Sequence, residues 1–385
     1  MSSAPPAPDS TTAHRAALIE RNLAELLTRD ELLPLLDSGL PLRHYIGWEI
    51  SGQVHLGGGL VLTSKIHDLQ QAGVECTVFL ADWHTWINDK LGGDRDRIRR
   101  IALGYFGEAL RAGLVCVGGD PDALRVVLAS DLYADGARDY WATVIEVAKH
   151  TSLARMQRSI TIMGRAEGEQ VDFAKLLYPA MQAADIFTLG VHLAHAGMDQ
   201  RKAHVVARDV ATKMRINALH DAAGRRIKPL AVHSPLLPGL LKPDRWPVPP
   251  EQRAEVLAAM KMSKSKRGSA IFIHDSPDAI NRKLRAAFCP PEEVELNPII
   301  DYIDQLCFRL GDAEFRVDRT AANGGTITFH STDEVADAYR SGALHPMDAK
   351  AALADRLIAR LEPARRHFAD PERAEALHEV IELTS

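Results

Sequence analysis

Apolar and polar positions fall into two regimes along the chain. Up to about residue 275, short apolar runs alternate with amphipathic stretches. HYIGWEI (44–50), ECTVFLAD (75–82) and LRVVLAS (124–130) read as buried strands, bounded by Gly, Ser and Asp. The spacing predicts helices over 15–38, from Leu18, Leu23, Leu26 and Leu27, and over 60–71, closed by Gly73. Another runs from Asp94, a natural N-cap, to about Ala112. Helical patterns then cover 140–165 and 178–189, followed by a strand-like GVHLAHAG (190–197), a helix over 198–211 and a short strand at 229–232. Strands alternating with helices predict a parallel sheet with crossover helices, an α/β fold. Ligands of such sheets sit beyond the carboxyl ends of the strands, where His55, Asp82 and His84 fall. After Ser276-Pro277 the texture changes. Helices near 278–288, 298–310, 332–341, 346–361 and 371–382, with a hairpin from AEFRVDR and GTITFHS, predict a mostly helical second domain over 277–385.

Composition narrows the class. The 385 residues are 46% hydrophobic and 25% charged, as in ordinary globular proteins. A net charge of −5 excludes a uniformly basic nucleic-acid surface, so any RNA contact must come from local patches. Those patches are Arg95, Arg97, Arg99 and Arg100; Arg155 and Arg158; Arg201 and Lys202; and a lysine-rich loop near 261–267. The four cysteines form no CxxC pattern and read as free thiols in a reducing compartment. His192 and His195 lie three apart without a Cys or carboxylate partner, so no metal site is expected. No apolar run approaches the ~20 residues of a membrane span. Residues 1–14 are Pro/Ser-rich, lack a signal-peptide core and read as a disordered tail of a cytoplasmic protein.

Two stretches carry the chemistry. HLGGG (His55–Gly59) stands between a strand and a helix, where backbone N–H groups and the helix dipole favour an anion. A glycine triplet alone is equally a structural turn, and the chain has neither GxxxxGK[ST] nor GxGxxG. The histidine in front adds a donor for charge developing at phosphorus. The second stretch, MKMSKSKRGSA (260–270), is too cationic for a core and alone reads as a solvated loop. Together the two could clamp a triphosphate from opposite sides, acting by position and charge.

The paired motifs, H-L-G-G after the first strand and K-M-S-K-S letter for letter, resemble the signature of class I aminoacyl-tRNA synthetases. YIGWEISGQVHLGG, YPAMQAADI, GMDQRKAH and ALHPMDAKAALA resemble the tyrosyl-tRNA synthetases of archaeal and eukaryotic type, over about residues 40–365. The resemblance implies a Rossmann-like catalytic domain over 15–276, with a helical insertion near 120–165 and a mobile loop at 261–265. A mostly helical anticodon-binding domain over 277–385 would follow. It implies that Tyr45 and Asp185 bind the substrate phenol, and that Tyr178, Gln182 and Gln200 hold its ammonium group. It places His55, Gly57, Gly58, Asp199, Met262, Ser263 and Ser265 at ATP, and Lys261 and Lys264 at the pyrophosphate. His55, Lys261 and Lys264 would be the catalytic groups. Arg201 and Lys202 would meet the acceptor end of tRNA(Tyr), and His345 and Asp348 its first anticodon base. L-tyrosine, ATP with Mg²⁺, and tRNA(Tyr) are the implied ligands, without a protein-bound metal. A homodimer joined near 120–165 is the implied assembly.

Three positions depart from the pattern. Gly58 replaces the second histidine usual in archaeal members, His192 an aspartate, and Asn323 an aromatic that stacks on the anticodon. Two other readings follow: a paralogue activating a tyrosine analogue for another pathway, and an RNA-binding relative without catalysis. Intact His55, Lys261 and Lys264 oppose the second. Tyr45 with Asp185 opposes a tryptophanyl enzyme.

Overall fold

In the computed structural model of the chain, residues 12–253, 256, 260, 262 and 268–384 are described. They form two compact units. The first gathers the stretches up to Gly52, Lys65–Glu108 and Gly119–Pro235; the second gathers Gln53–Ser64, Ala109–Gly118 and the chain from Leu236 on.

The first unit is built on a six-stranded sheet of order β1-β6-β5-β2-β3-β4. Parallel strands β2 (Arg43–Trp48), β3 (Glu75–Leu80), β4 (Leu124–Leu128), β5 (Leu193–Gly197) and β6 (Leu230–Ser234) lie where the apolar runs predict them. β1 (Glu25–Leu27) is added antiparallel at the edge. β5 and β6 are buried throughout, as parallel strands covered on both faces must be. From β2 the chain steps outward to β3 and β4, then returns to the far side of β2 as β5. That reversal is a topological switch point, with its crevice beyond the carboxyl ends of β2 and β5.

Helices α1 (Thr12–Glu20), α2 (Arg29–Asp37), α3 (Thr63–Gln71), α4 (Asp82–Ile87), α5 (Arg95–Ile101) and α6 (Gly107–Cys116) occur in the first part of the chain. They are followed by α7 (Ala129–Asp135), α8 (Ala137–Lys149), α9 (Leu153–Ser159), α10 (Phe173–Thr188) and α11 (Arg201–Ala211). Residues of α8, α10 and α11 join Tyr45 and Phe79 in one apolar cluster. The expected caps are present. Asp94 accepts a hydrogen bond from Arg97 N at 3.0 Å, and Gly73, at φ +70°, ends α3.

Three expectations need correction. The single helix over 15–38 is α1, β1 and α2: Asn22 takes a left-handed φ of 57°, and Ala24 N donates to His233 O at 2.9 Å. The open sheet edge thus claims leucines whose spacing also suits a helix. The stretch 140–165 is divided, because Ser152 caps a new helix by accepting from Arg155 N. Helix α10 begins at Phe173 rather than Tyr178, capped by Asp172.

The sheet buries unusual polar groups. Lys65 is fully enclosed, its ammonium donating to the carbonyls of Leu18 (3.0 Å), Ile19 (3.2 Å) and Arg21 and to Asp68 (2.9 Å). His44 Nε2 lies 3.2 Å from His195 Nδ1, and His195 Nε2 lies 2.9 Å from Ser234 Oγ. His204 Nδ1 meets His233 Nε2 at 3.1 Å, and His233 Nδ1 meets Glu25 at 2.9 Å. His192 Nδ1 accepts from Arg43 N at 3.0 Å. Among the described residues, no three His, Cys, Asp or Glu side chains are grouped to hold a metal ion.

The second unit contains helices Pro277–Ala286, Pro298–Leu306, Thr332–Arg340, Pro346–Arg360, Glu362–His367 and Pro371–Thr384, with the predicted hairpin Phe315–Val317/Ile327–Phe329. All four cysteines are unpaired. No helix among the described residues is long and apolar enough to cross a membrane.

The buried histidines set a pH dependence. Burial pushes His44 and His204 down to about 3 from 6.5, and His195 well below its ordinary value. Unfolded rings bind protons below pH 6.5 while the folded ones resist until near pH 3. Stability is therefore complete above pH 6.5 and lost as pH falls toward 3, by up to ~1.4 kcal/mol per pH unit for each ring. Urea midpoints measured across this range should fall with acidity, and His44→Gln should flatten the slope. An unchanged slope would remove His44 as a contributor.

Candidate active site

The residues expected at the amino-acid substrate lie around the switch point of the first unit. Tyr45 lies on β2, and Asp199 and Gln200 follow β5 in a short turn (Met198–Gln200). Tyr178, Gln182 and Asp185 lie on α10, the last two on one face as their spacing predicts. Gln182 Nε2 donates to Gln200 Oε1 at 3.4 Å. Gln200 Nε2 is shared between Ile162 O at 3.0 Å and Asp199 Oδ2 at 3.2 Å. The two glutamines thus form a polar pair, and Gln182 Oε1 is buried without a partner.

Asp185 is 1% exposed. Tyr133 Oη donates to its Oδ1 at 2.9 Å, and His84 Nε2 faces Oδ2 at 3.7 Å. Burial holds this carboxyl well above the usual carboxylate range, opposed by the hydroxyl groups beside it. Tyr45 is equally buried, and its phenol is pushed up by burial and by the charge of Asp185. His84 sits edge-on to Tyr178, ring centroids 4.5 Å apart, and burial brings it down to about 3. It is a neutral imidazole at physiological pH.

Sequence reasoning left several of these groups without a role. Tyr133 on α7 and Tyr140 on α8 stack at 3.9 Å across the joint at Gly136. Asp82, at the end of β3, accepts from Ser130 N (2.9 Å) at the start of α7 and so helps aim Tyr133. Glu49 Oε1 accepts from Asn88 Nδ2 at 2.6 Å beyond β2. Asp82 and His84 were detectable as polar residues closing an apolar strand. Tyr133 and Tyr140 had no local signal, because only the packing of α7 and α8 turns them toward Asp185.

The two motifs expected at the nucleotide belong to the second unit. His55 bridges to Phe272; Leu56 N donates to Ile271 O at 3.0 Å and Ile273 N to Val54 O at 3.1 Å. The segment after the lysine-rich loop is thereby zipped to the segment before the glycines. Gly57–Leu62 forms a π-helical turn leading into α3. Gly58 N approaches His55 Nδ1 at 3.4 Å, which selects the tautomer carrying its proton on Nε2. Met262 departs from the expectation of a fully solvated loop. It is buried, and its N–H donates to Leu237 O at 3.0 Å. Leu237 Cβ in turn lies 3.5 Å from where a Cβ on Gly57 would stand. Lys261, Ser263, Lys264 and Ser265 lie outside the described residues.

The remaining expected contacts are spread over both units. Arg201 is paired bidentately with Glu25 (2.7 and 3.1 Å). Lys202 bonds Arg158 O at 2.9 Å and Glu167 at 3.2 Å. In the second unit His345 caps Pro346–Arg360 by accepting from Met347 N at 3.2 Å, with Asp348 in the first turn. Asn323 closes a short turn before Gly324.

Residues 38–362 match the family of class I tRNA synthetases (W and Y). The chain belongs to this class of synthetases. A Thermococcus sibiricus tyrosine–tRNA ligase is 52% identical over 358 residues, 92% of this chain and 95% of that protein. A Pyrococcus horikoshii tyrosine–tRNA ligase is 50% identical over 366 residues, 94% of this chain and 96% of that protein. Within the class, the chain's family is the tyrosine–tRNA ligases. A crystal structure of the Pyrococcus horikoshii tyrosyl-tRNA synthetase complexed with L-tyrosine superposes with a TM-score of 0.93 at 49% identity, covering 96% of this chain and all (100%) of that one. The Aeropyrum pernix tyrosyl-tRNA synthetase follows at 0.79 and 39%, covering 96% and 99%.

The third glycine of HLGGG has a packing reason. A Cβ on Gly59 would stand 2.2 Å from Ile273 Cγ2, and one on Gly113 would stand 2.2 Å from Gly59 O. Gly113→Ala must therefore displace backbone and should cost about 1–3 kcal/mol or more by urea unfolding. Gly136→Ala, whose Cβ would meet only Leu132 O at 3.6 Å, should cost far less. Equal losses would mean that the close approach is relaxed cheaply.

Proposed function

We infer that the chain activates L-tyrosine with ATP and transfers the tyrosyl group to tRNA(Tyr). The observation that carries this reading is Asp185, a carboxylate buried beside Tyr45 at the switch point. A phenol can satisfy it and a phenylalanine ring cannot. A site built around a hydroxyl leaves polar groups unpaired when the hydroxyl is missing, and tyrosyl enzymes are the reference case for that effect.

In this reading Tyr45 and Asp185 take the phenol, while Tyr178, Gln182 and Gln200 take the ammonium group. The unpartnered Gln182 Oε1 suits a cation donor. The substrate carboxylate is already ionised and needs no general base. It attacks the α-phosphorus of ATP, forming tyrosyl-adenylate and releasing pyrophosphate. Nε2–H of His55 donates to the phosphates, supported by the backbone of Gly57 and Gly58. Lys261 and Lys264 draw the pyrophosphate charge, and Met262, between them in sequence, is tied by its N–H to Leu237 O. Asp199 receives the ribose. Mg²⁺ enters as a counter-ion of the ATP phosphates.

The terminal ribose of tRNA(Tyr) then accepts the tyrosyl group. Arg201 and Lys202 are the proposed acceptor-end contacts, and the tRNA must compete for them with Glu25 and Glu167. His345 and Asp348 are the proposed anticodon contacts, within a helical anticodon domain over 277–385. We also propose a cytoplasmic enzyme, in keeping with its unpaired cysteines, and a homodimer. Exposed Ile145, Leu153 and Phe173 on α8, α9 and α10 support self-association of that region.

ATP–pyrophosphate exchange with each amino acid tests the reading. Exchange should depend on tyrosine, and Asp185→Ala should lose the preference for tyrosine over phenylalanine. Equal exchange of the parent protein with phenylalanine would sink the assignment.

A further inference from the structure

The surroundings of Asp185 go beyond a two-residue contact to a phenol. Five elements bring titratable groups within electrostatic reach of this one carboxylate: Tyr45 from β2, His84 from α4, Tyr133 from α7, Tyr140 from α8 and Tyr178 from α10. None of these is a lysine or arginine. Burial leaves His84 neutral and pushes every one of the four phenols well above its ordinary value. Burial disfavours the negative charge of Asp185, and the hydroxyl donors of Tyr133 and Tyr140 are what oppose that.

Those donors are unequal. Tyr133 Oη bonds Oδ1 at 2.9 Å. Its ring is fixed on three sides: stacked on Tyr140 at 3.9 Å, edge-on to Trp83 at 5.7 Å, and beside Phe79 at 6.3 Å. A hydroxyl on so immobile a ring holds the carboxylate in one orientation. Tyr140 Oη is buried next to the same group without a well-formed hydrogen bond of its own. His84 Nε2 lies 3.7 Å from Oδ2, too far for a strong bond.

We propose that Tyr133 is a positioning residue for substrate selection: by occupying Oδ1 of Asp185 it leaves Oδ2 as the acceptor offered to the substrate, so the pocket takes its substrate only as an un-ionised phenol. A phenolate brings a second negative charge against a buried carboxylate and has no proton to give it. The proposal rests on the tyrosine-activating reading above.

Two measurements test it. In the first, pyrophosphate exchange is followed with tyrosine and with a ring-fluorinated tyrosine whose phenol ionises at about pH 7, against about 10 for tyrosine itself. Above its own ionisation, kcat/KM for the fluorinated substrate should fall about tenfold per pH unit, while that for tyrosine stays level to about pH 8.5. A level profile for both substrates would overturn the proposal.

In the second, Tyr133→Phe should lower kcat/KM for tyrosine by roughly ten- to a hundredfold, mainly through KM, and leave phenylalanine almost unaffected. Its acid limb should move to higher pH, because a carboxylate deprived of a donor protonates more readily. Equal losses with tyrosine and phenylalanine, or an unmoved acid limb, would reduce Tyr133 to packing. Absence of tyrosine-dependent exchange in the parent protein at every pH would instead refute the activation reading, so the two failures are distinct.

Discussion

A carboxylate buried among aromatic rings is the constraint around which the first unit is arranged. Left alone, such a group would cost several kcal/mol or give up its charge. Asp185 keeps company with phenols, whose hydroxyls stabilise charge without supplying any of the opposite sign. This solution dictates much of the neighbouring architecture. Helix α7 must start where Asp82 can aim it, α8 must follow at once so that Tyr140 can brace Tyr133, and α10 must present its polar face to β2. The same solution leaves the site selective for hydroxyl donors, since a cationic partner would have satisfied Asp185 before any substrate arrived.

The sheet serves this arrangement by setting its reversal between β2 and β5. Residues that close those two strands are brought side by side although about 150 positions separate them in sequence. The histidines inside the sheet play a different part. They pair with each other and with Ser234 or Glu25, which lets polar side chains occupy strands covered on both faces. The consequence is a scaffold whose rigidity depends on neutral imidazoles.

Much of this was legible in the sequence, and the misses share a cause. Apolar runs located five of the six strands, because buried parallel strands show an unbroken apolar pattern. The two signature motifs were readable because their chemistry is local: glycines beside a histidine, lysines beside serines. β1 was misread since leucines at 23, 26 and 27 suit a helix as well as a sheet edge, and only pairing with β6 decides between them. Tyr133 and Tyr140 are invisible to pattern because their roles arise from the angle between two helices. Met262 was misjudged for a similar reason. Its neighbours are charged, yet its own partner is a backbone carbonyl at Leu237.

Lys65 gives the N-terminal region a function that its position conceals. Its ammonium is solvated by the last carbonyls of α1 and by the chain just beyond, in place of water. The opening helix therefore behaves as a ligand to an internal cation, comparable to a chelating arm. Any fusion or trimming that unwinds α1 would strip the Leu18 and Ile19 carbonyls from a lysine charge inside the protein. The tolerated limit of such changes is set by a residue on α3.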